Sequence, residues 1–168
     1  LKPDYTEAHN NLGTALQDLG KLDEAMASYQ KALSINLDYP EAHGNLGLVL
    51  RELGKPQEAI ASCHRALTIK PDYAEAHFNL GIALFELGHI NDATANLQKA
   101  AAIKPDYAEA NNSLGNICMY VGEVEKAAIY YEKAIEIKSN YAEAYNNLGN
   151  VYQEQRELEL ARKRSPRC

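Results

Sequence analysis

Apolar residues return every three or four positions along most of the chain. Near its start they fall at Ala8, Leu12, Ala15, Leu16 and Leu19, and then at Leu22, Ala25, Met26, Tyr29, Ala32, Leu33 and Ile35. This spacing lays one apolar stripe along each of two helices. Gly20 separates the runs and predicts a left-handed cap at the end of the first helix. The pattern then recurs. Pro71-Asp72-Tyr73-Ala74-Glu75-Ala76 returns 34 residues later as Pro105-Asp106-Tyr107-Ala108-Glu109-Ala110, and related segments begin at Pro3, Leu37 and Ser139. A helical hairpin cannot bury its apolar face alone, so a fixed period of this length predicts a stacked array. The expected fold class is all-α, a solenoid of tandem antiparallel helix pairs. Four full repeats span 6–39, 40–73, 74–107 and 108–141, a partial fifth spans 142–161, and 162–168 form an irregular basic tail.

Within each repeat the special residues keep their places. The eighth position holds Gly13, Gly47, Gly81, Gly115 and Gly149, in mid-helix. Glycine there costs about 1 kcal/mol of helix propensity against alanine, which close helix–helix approach would offset. The fifteenth position holds Gly20, Gly54, Gly88 and Gly122, each expected as a cap between two helices. Asp4 with Glu7, Asp38 with Glu41, Asp72 with Glu75, Asp106 with Glu109, and Asn140 with Glu143 read as capping boxes that open the first helices. The fifth repeat is expected to start its second helix near Leu158, then to lose the pattern at Arg164 and Pro166. Leu148, Val151 and Tyr152 would then lack full cover. Open ends of this kind predict self-association.

The units resemble tetratricopeptide repeats. The likeness rests on Leu12-Gly13, Leu46-Gly47, Leu80-Gly81, Leu114-Gly115 and Leu148-Gly149. It rests also on small residues at Ala25, Ala59, Ala93 and Ala127 and at Ala32, Ala66, Ala100 and Ala134, and on the closing prolines Pro3, Pro71 and Pro105. Where that family favours tryptophan, this chain has His9, His43, His77, Asn111 and Tyr145. The resemblance implies a right-handed superhelix whose first helices line a concave groove that holds an extended peptide or a helix. Carried onto this chain, the sixth position gives Asn11, Asn45, Asn79, Ser113 and Asn147. This row is similar to the asparagine ladder in the solenoid of O-linked N-acetylglucosamine transferases. Amide side chains both donate and accept, and so suit a peptide main chain of any sequence. Other groove positions vary along the chain. Leu48, Phe78, Ile82, Phe85 and Met119 make an apolar middle, and Arg51 and Asn116 are polar members of the same set. Gln17, Asp18, Glu52 and Glu86 fall at further groove positions.

Charge and composition narrow the partner. The chain has 17 Lys and Arg against 23 Asp and Glu, a formal charge of −6. That balance disfavours a nucleic-acid backbone. No apolar run approaches the roughly 20 residues of a membrane span, so no membrane partner is expected. Cys63 and Cys118 occupy positions filled elsewhere by Tyr29 or Leu97 and by Leu16, Leu50 or Leu84, and so read as packing residues. Reduced thiols suit a cytosolic or nuclear setting, and a cytoplasmic location is expected. The chain opens in mid-repeat, which suggests a missing native N-terminus and leaves targeting unread. The histidines at 34-residue spacing lie too far apart to share a metal, and neither a metal nor another cofactor is expected. A carboxylate clamp of the chaperone-binding type is not expected, since the corresponding stretch shows Asn10, Asn11, Asn45, Glu75 and Asn79, with the clamp's cations absent and an acid in their place. The expected function is protein or peptide binding without catalysis. The alternatives are the substrate-selecting arm of a larger glycosyltransferase-like enzyme and a self-assembling scaffold.

Overall fold

The computed structural model describes residues 3–164, and the side chains of residues 5–156. Every described element is an α-helix. The helices gather into two compact units, residues 1–103 and residues 104–168. The first unit holds α1 (Pro3–Asp18), α2 (Leu22–Ile35), α3 (Pro40–Glu52), α4 (Pro56–Ile69), α5 (Ala74–Glu86) and α6 (Ile90–Ile103). The second holds α7 (Ala108–Tyr120), α8 (Val124–Ile137) and α9 (Ala142–Arg164).

Odd helices pair with the even helix that follows, as α1 with α2, α3 with α4, α5 with α6, and α7 with α8. Gly20, Gly54, Gly88 and Gly122 make the turns with φ of 72°, 73°, 79° and 80°. The next residue closes each cap, since the N–H of Lys21, Lys55, His89 and Glu123 donates to the carbonyl five residues back at 2.8–2.9 Å. This is the left-handed cap the spacing predicts. Between the paired helices, the eighth-position glycines admit a large side chain. A Cβ on Gly13 would lie 2.6 Å from the Tyr29 ring, and one on Gly115 would lie 2.5 Å from the Tyr131 ring. Gly47 faces Cys63 and Gly81 faces Leu97 in the same way. Cys63 is fully buried there, a packing residue as expected.

The first-unit core joins Ala25, Tyr29, Ala32, Ala42, Leu46, Val49 and Leu50, which come from both helix ranks. In the second unit Cys118, Val124, Ala127, Tyr131 and Val151 form the core.

The capping boxes expected before α3, α5 and α7 do not form. The residues before α3, α5 and α7 are Tyr39, Tyr73 and Tyr107, and none makes a side-chain cap bond. The aspartates stand one residue too early to cap. Glu41 instead meets Lys70 at 3.4 Å, and Glu109 meets Lys138 at 3.0 Å. The same ammonium groups sit 4.8 Å from the ring centres of Tyr73 and Tyr141. Each lysine at the end of an even helix thus ties the start of the preceding odd helix to the linker beyond.

The fifth repeat differs from the sequence expectation. No second helix begins near Leu158, because α9 runs unbroken from Ala142 to Arg164. The position that holds the turn glycine elsewhere is Arg156, for which a left-handed turn would cost about 1–2 kcal/mol. The expected irregular tail is therefore helical over 162–164, and Pro166 and the rest of 165–168 lie outside the described residues. A Cβ on Gly149 would meet nothing within 4 Å, since no partner helix lies against it among the described residues.

Candidate groove

In the first unit α1 lies beside α3, and α3 beside α5. Polar contacts recur across this rank at an offset of one repeat plus one residue. Asn45 Nδ2 donates to Asn10 Oδ1 at 3.1 Å, and Asn79 Nδ2 donates to the Gly44 carbonyl at 3.4 Å. Farther along the helices, Gln17 Nε2 donates to Glu52 Oε2 at 3.2 Å, and Arg51 Nη1 to Glu86 Oε1 at 3.1 Å. The sixth position therefore reaches the fifth position of the repeat before, and the twelfth reaches the thirteenth of the repeat after. These ties show which side of each odd helix faces along the rank. The sequence carries a signal for them, complementary donors and acceptors 35 residues apart, but the period alone brings only the asparagines forward.

Leu48 and Ile82 occupy the ninth position, a turn from both sets of ties. Phe78, Ile82 and Phe85 follow one another at spacings of four and three on α5, and so share a face. All four apolar side chains are half-buried. Arg51 is 23% exposed through its side chain, and its Nε is buried with no hydrogen-bond partner. Asn11 is exposed, Asn45 half-buried and Asn79 buried, so the ladder is unequal along the unit. The Tyr29 hydroxyl donates to Thr14 Oγ1 and Gln17 Oε1, each at 3.2 Å. Burial pushes this hydroxyl above its usual range, and the Asp18 and Glu52 carboxylates add to the rise.

The second unit brings its own predicted residues together. Asn147 Nδ2 donates to Asn112 Oδ1 and to Asn116 Oδ1, both at 3.1 Å. Asn116 Oδ1 also accepts from the Tyr131 hydroxyl at 2.8 Å. Asn112 Nδ2 donates to Glu143 Oε1 at 2.9 Å. Met119 is half-buried and leans on the core of that unit, and Ser113 is half-buried on the same helix.

Two of the three histidines at 34-residue spacing, His43 and His77, are buried and bonded to main-chain carbonyls. His43 Nε2 lies 2.9 Å from the Leu37 carbonyl, and His77 Nε2 lies 3.0 Å from the Pro71 carbonyl. Among the described residues no group of histidine, cysteine or carboxylate side chains could hold a metal ion. No described helix is long and apolar enough to cross a membrane.

Comparison with known proteins agrees with this architecture. A family model described as "Tetratricopeptide repeat" matches residues 50–117. A second, described as "TPR repeat", matches residues 15–54 and 115–155. No curated protein sequence matches the chain. A crystal structure of MamA is 32% identical, covering 85% of this chain and 84% of its own, with a TM-score of 0.73. PilF of Pseudomonas aeruginosa is 23% identical, covering 95% and 73%, with a TM-score of 0.84. The first TPR of Spaghetti (RPAP3), solved with the HSP90 peptide SRMEEVD, is 23% identical, covering 73% and 97%, with a TM-score of 0.69. The last two are likenesses of fold. With its repeat period, its glycine-notched hairpins and these matches, the chain belongs to the tetratricopeptide repeat family.

Proposed function

We propose that the first unit holds an extended segment of a partner protein on the face formed by α1, α3 and α5. The observation that carries this reading is the half-buried apolar stripe of Leu48, Phe78, Ile82 and Phe85. Two phenylalanines left part-exposed on one helix face suit a partner's side chains. The ladder amides act beside them. Asn45 commits an N–H to Asn10, which fixes the amide plane. Its Oδ1 is then the group offered to a main-chain N–H, and exposed Asn11 repeats the offer. Buried Asn79 serves the array. In the second unit, Ser113, Asn116, Met119 and Asn147 are assigned the same kind of role within that unit.

Magnitudes decide which residues to test. A main-chain hydrogen bond contributes about 0.5–1.5 kcal/mol net, whereas burying a Phe side chain contributes about 1.5–3 kcal/mol. The phenylalanines therefore dominate. That a structure of the same fold, at 23% identity, holds a peptide supports the reading. The test is to pan a random peptide library on the chain and measure selected peptides by fluorescence anisotropy. Phe78→Ala with Phe85→Ala is expected to weaken binding at least tenfold with helical circular dichroism unchanged. Equal affinity in the double variant would refute the assignment.

A further inference from the structure

The rank that carries the apolar stripe is one-sided in charge. Among its described side chains, α1, α3 and α5 bear Glu7, Asp18, Glu41, Glu52, Glu75 and Glu86, against Arg51 as the single Lys or Arg. The cations of this unit stand instead on the even helices and the turns, at Lys21, Lys31, Lys55, Arg65, Lys70 and Lys99. Arg51 adds no free positive charge to the face, since Glu86 answers it at 3.1 Å.

Three of the acids edge the stripe. Asp18, Glu52 and Glu86 occupy the thirteenth position of successive repeats, and all three are exposed. Glu52 and Glu86 stand four residues beyond Leu48 and Ile82, on the same helix face and one turn on. The odd helices end at these residues, so their C-terminal carbonyls add partial negative charge. A partner segment rich in acids would meet like charge along its whole length. A neutral one would leave the carboxylates to water.

We infer that the partner segment is both apolar and basic: its apolar side chains rest on Leu48, Phe78, Ile82 and Phe85, and its Lys or Arg side chains reach Asp18 and Glu52, the edge acids that Arg51 does not answer. This rests on the groove reading above and adds the partner's chemistry to it. The HSP90 peptide SRMEEVD bound by the RPAP3 repeat has the opposite balance, three acids against one Arg. Exposed ion pairs are individually weak, so the two together, with the repulsion an acidic segment would meet, are expected to give about a tenfold preference for a basic segment over an acidic one, most of it lost at high salt.

The experiment uses the full chain and three labelled peptides of one length. Each alternates Leu and Phe with a second residue, which is Lys in one, Glu in another and Gln in the third. Anisotropy is measured at low and high salt. The inference expects the Lys peptide to bind about tenfold more tightly than the Glu peptide, with Gln between, and the gap to narrow in salt. Asp18→Asn with Glu52→Gln should weaken the Lys peptide several-fold. Glu58→Gln with Asp92→Asn removes the same charge from exposed sites on α4 and α6 and should change nothing. Equal affinities, a reversed order, or equal loss in the outer-helix variant would overturn the charge inference. In that case the groove reading stands if Phe78→Ala with Phe85→Ala still weakens all three peptides, and falls with it if none responds.

Discussion

At the eighth position of each repeat, one absent methyl sets how closely two helices approach. Where a partner helix is present the space is already taken, by Tyr29 at Gly13 and by Tyr131 at Gly115. Those rings are buried, Tyr29 fully and Tyr131 to 2% exposure, so they have nowhere to move. Gly115→Ala is expected to destabilise the chain by about 1–3 kcal/mol through overpacking. Gly149→Ala meets open space on a helix, and is expected to stabilise by about 1 kcal/mol through helix propensity alone. Urea unfolding followed by circular dichroism would show midpoints moving in opposite directions. Equal shifts would mean the notch is not what the glycine serves. The sequence made the notch legible, since a glycine recurring in mid-helix needs a reason to be there. The loss of pattern at Arg164 and Pro166 pointed to an incomplete partner for Gly149, but not to a helix α9 that runs on unbroken to Arg164. Cys63 follows the same logic from the other side of the notch: burial among apolar neighbours pushes its thiol up to about 12, against which Arg51 pulls only weakly, and it is a filler.

At the scale of the element, helix ends are harder to read than helix faces. The period places the starts at Pro40, Ala74, Ala108 and Ala142, and those are where the helices begin. The capping boxes before α3, α5 and α7 fail because an aspartate three residues before a glutamate fits that motif wherever the helix starts, and here it starts one residue late. The glutamates are engaged across the hairpin, a contact between residues 29 apart that local pattern cannot show. Glu109 makes the consequence measurable. Burial alone would raise its carboxyl, but the Lys138 ammonium and a backbone hydrogen bond outweigh it and hold the group below the usual carboxylate range. A depressed folded value means the stabilisation is present above the unfolded value and is lost as pH falls through the folded one. Wild type is therefore expected to melt slightly above Glu109→Gln at neutral pH. The two should converge as pH falls below about 4.5, the ordinary value for this carboxyl. Because the pair is largely exposed, the gap should be under about 1 kcal/mol. A gap that persists in acid would show that the pairing is not its source.

At the scale of the whole chain, as a tetratricopeptide repeat protein it is an interaction module. Its rows of residues were legible, because a repeat of fixed period places like residues at like positions. The ladder's occupancy was not. Asn45, Asn79 and Asn147 stand out by position, yet each spends amide hydrogen on the preceding repeat, through partners as different as Asn10, a Gly44 carbonyl and Asn112. A main-chain carbonyl is an acceptor at every residue, so sequence carries no mark of which one is used.

Within the second unit α9 has one dry side. Ala144 and Val151 are fully buried, while Tyr145 and Tyr152 are each about half exposed. Tyr152 holds to α8 by a single exposed bond to Glu132 at 3.1 Å. Such a helix should open before α7 and α8 do. Hydrogen–deuterium exchange read by mass spectrometry is expected to label amides 142–156 earlier than those of α7 and α8. A protease cut in native buffer should fall in the same stretch, and protection of α9 equal to that of α8 would contradict it.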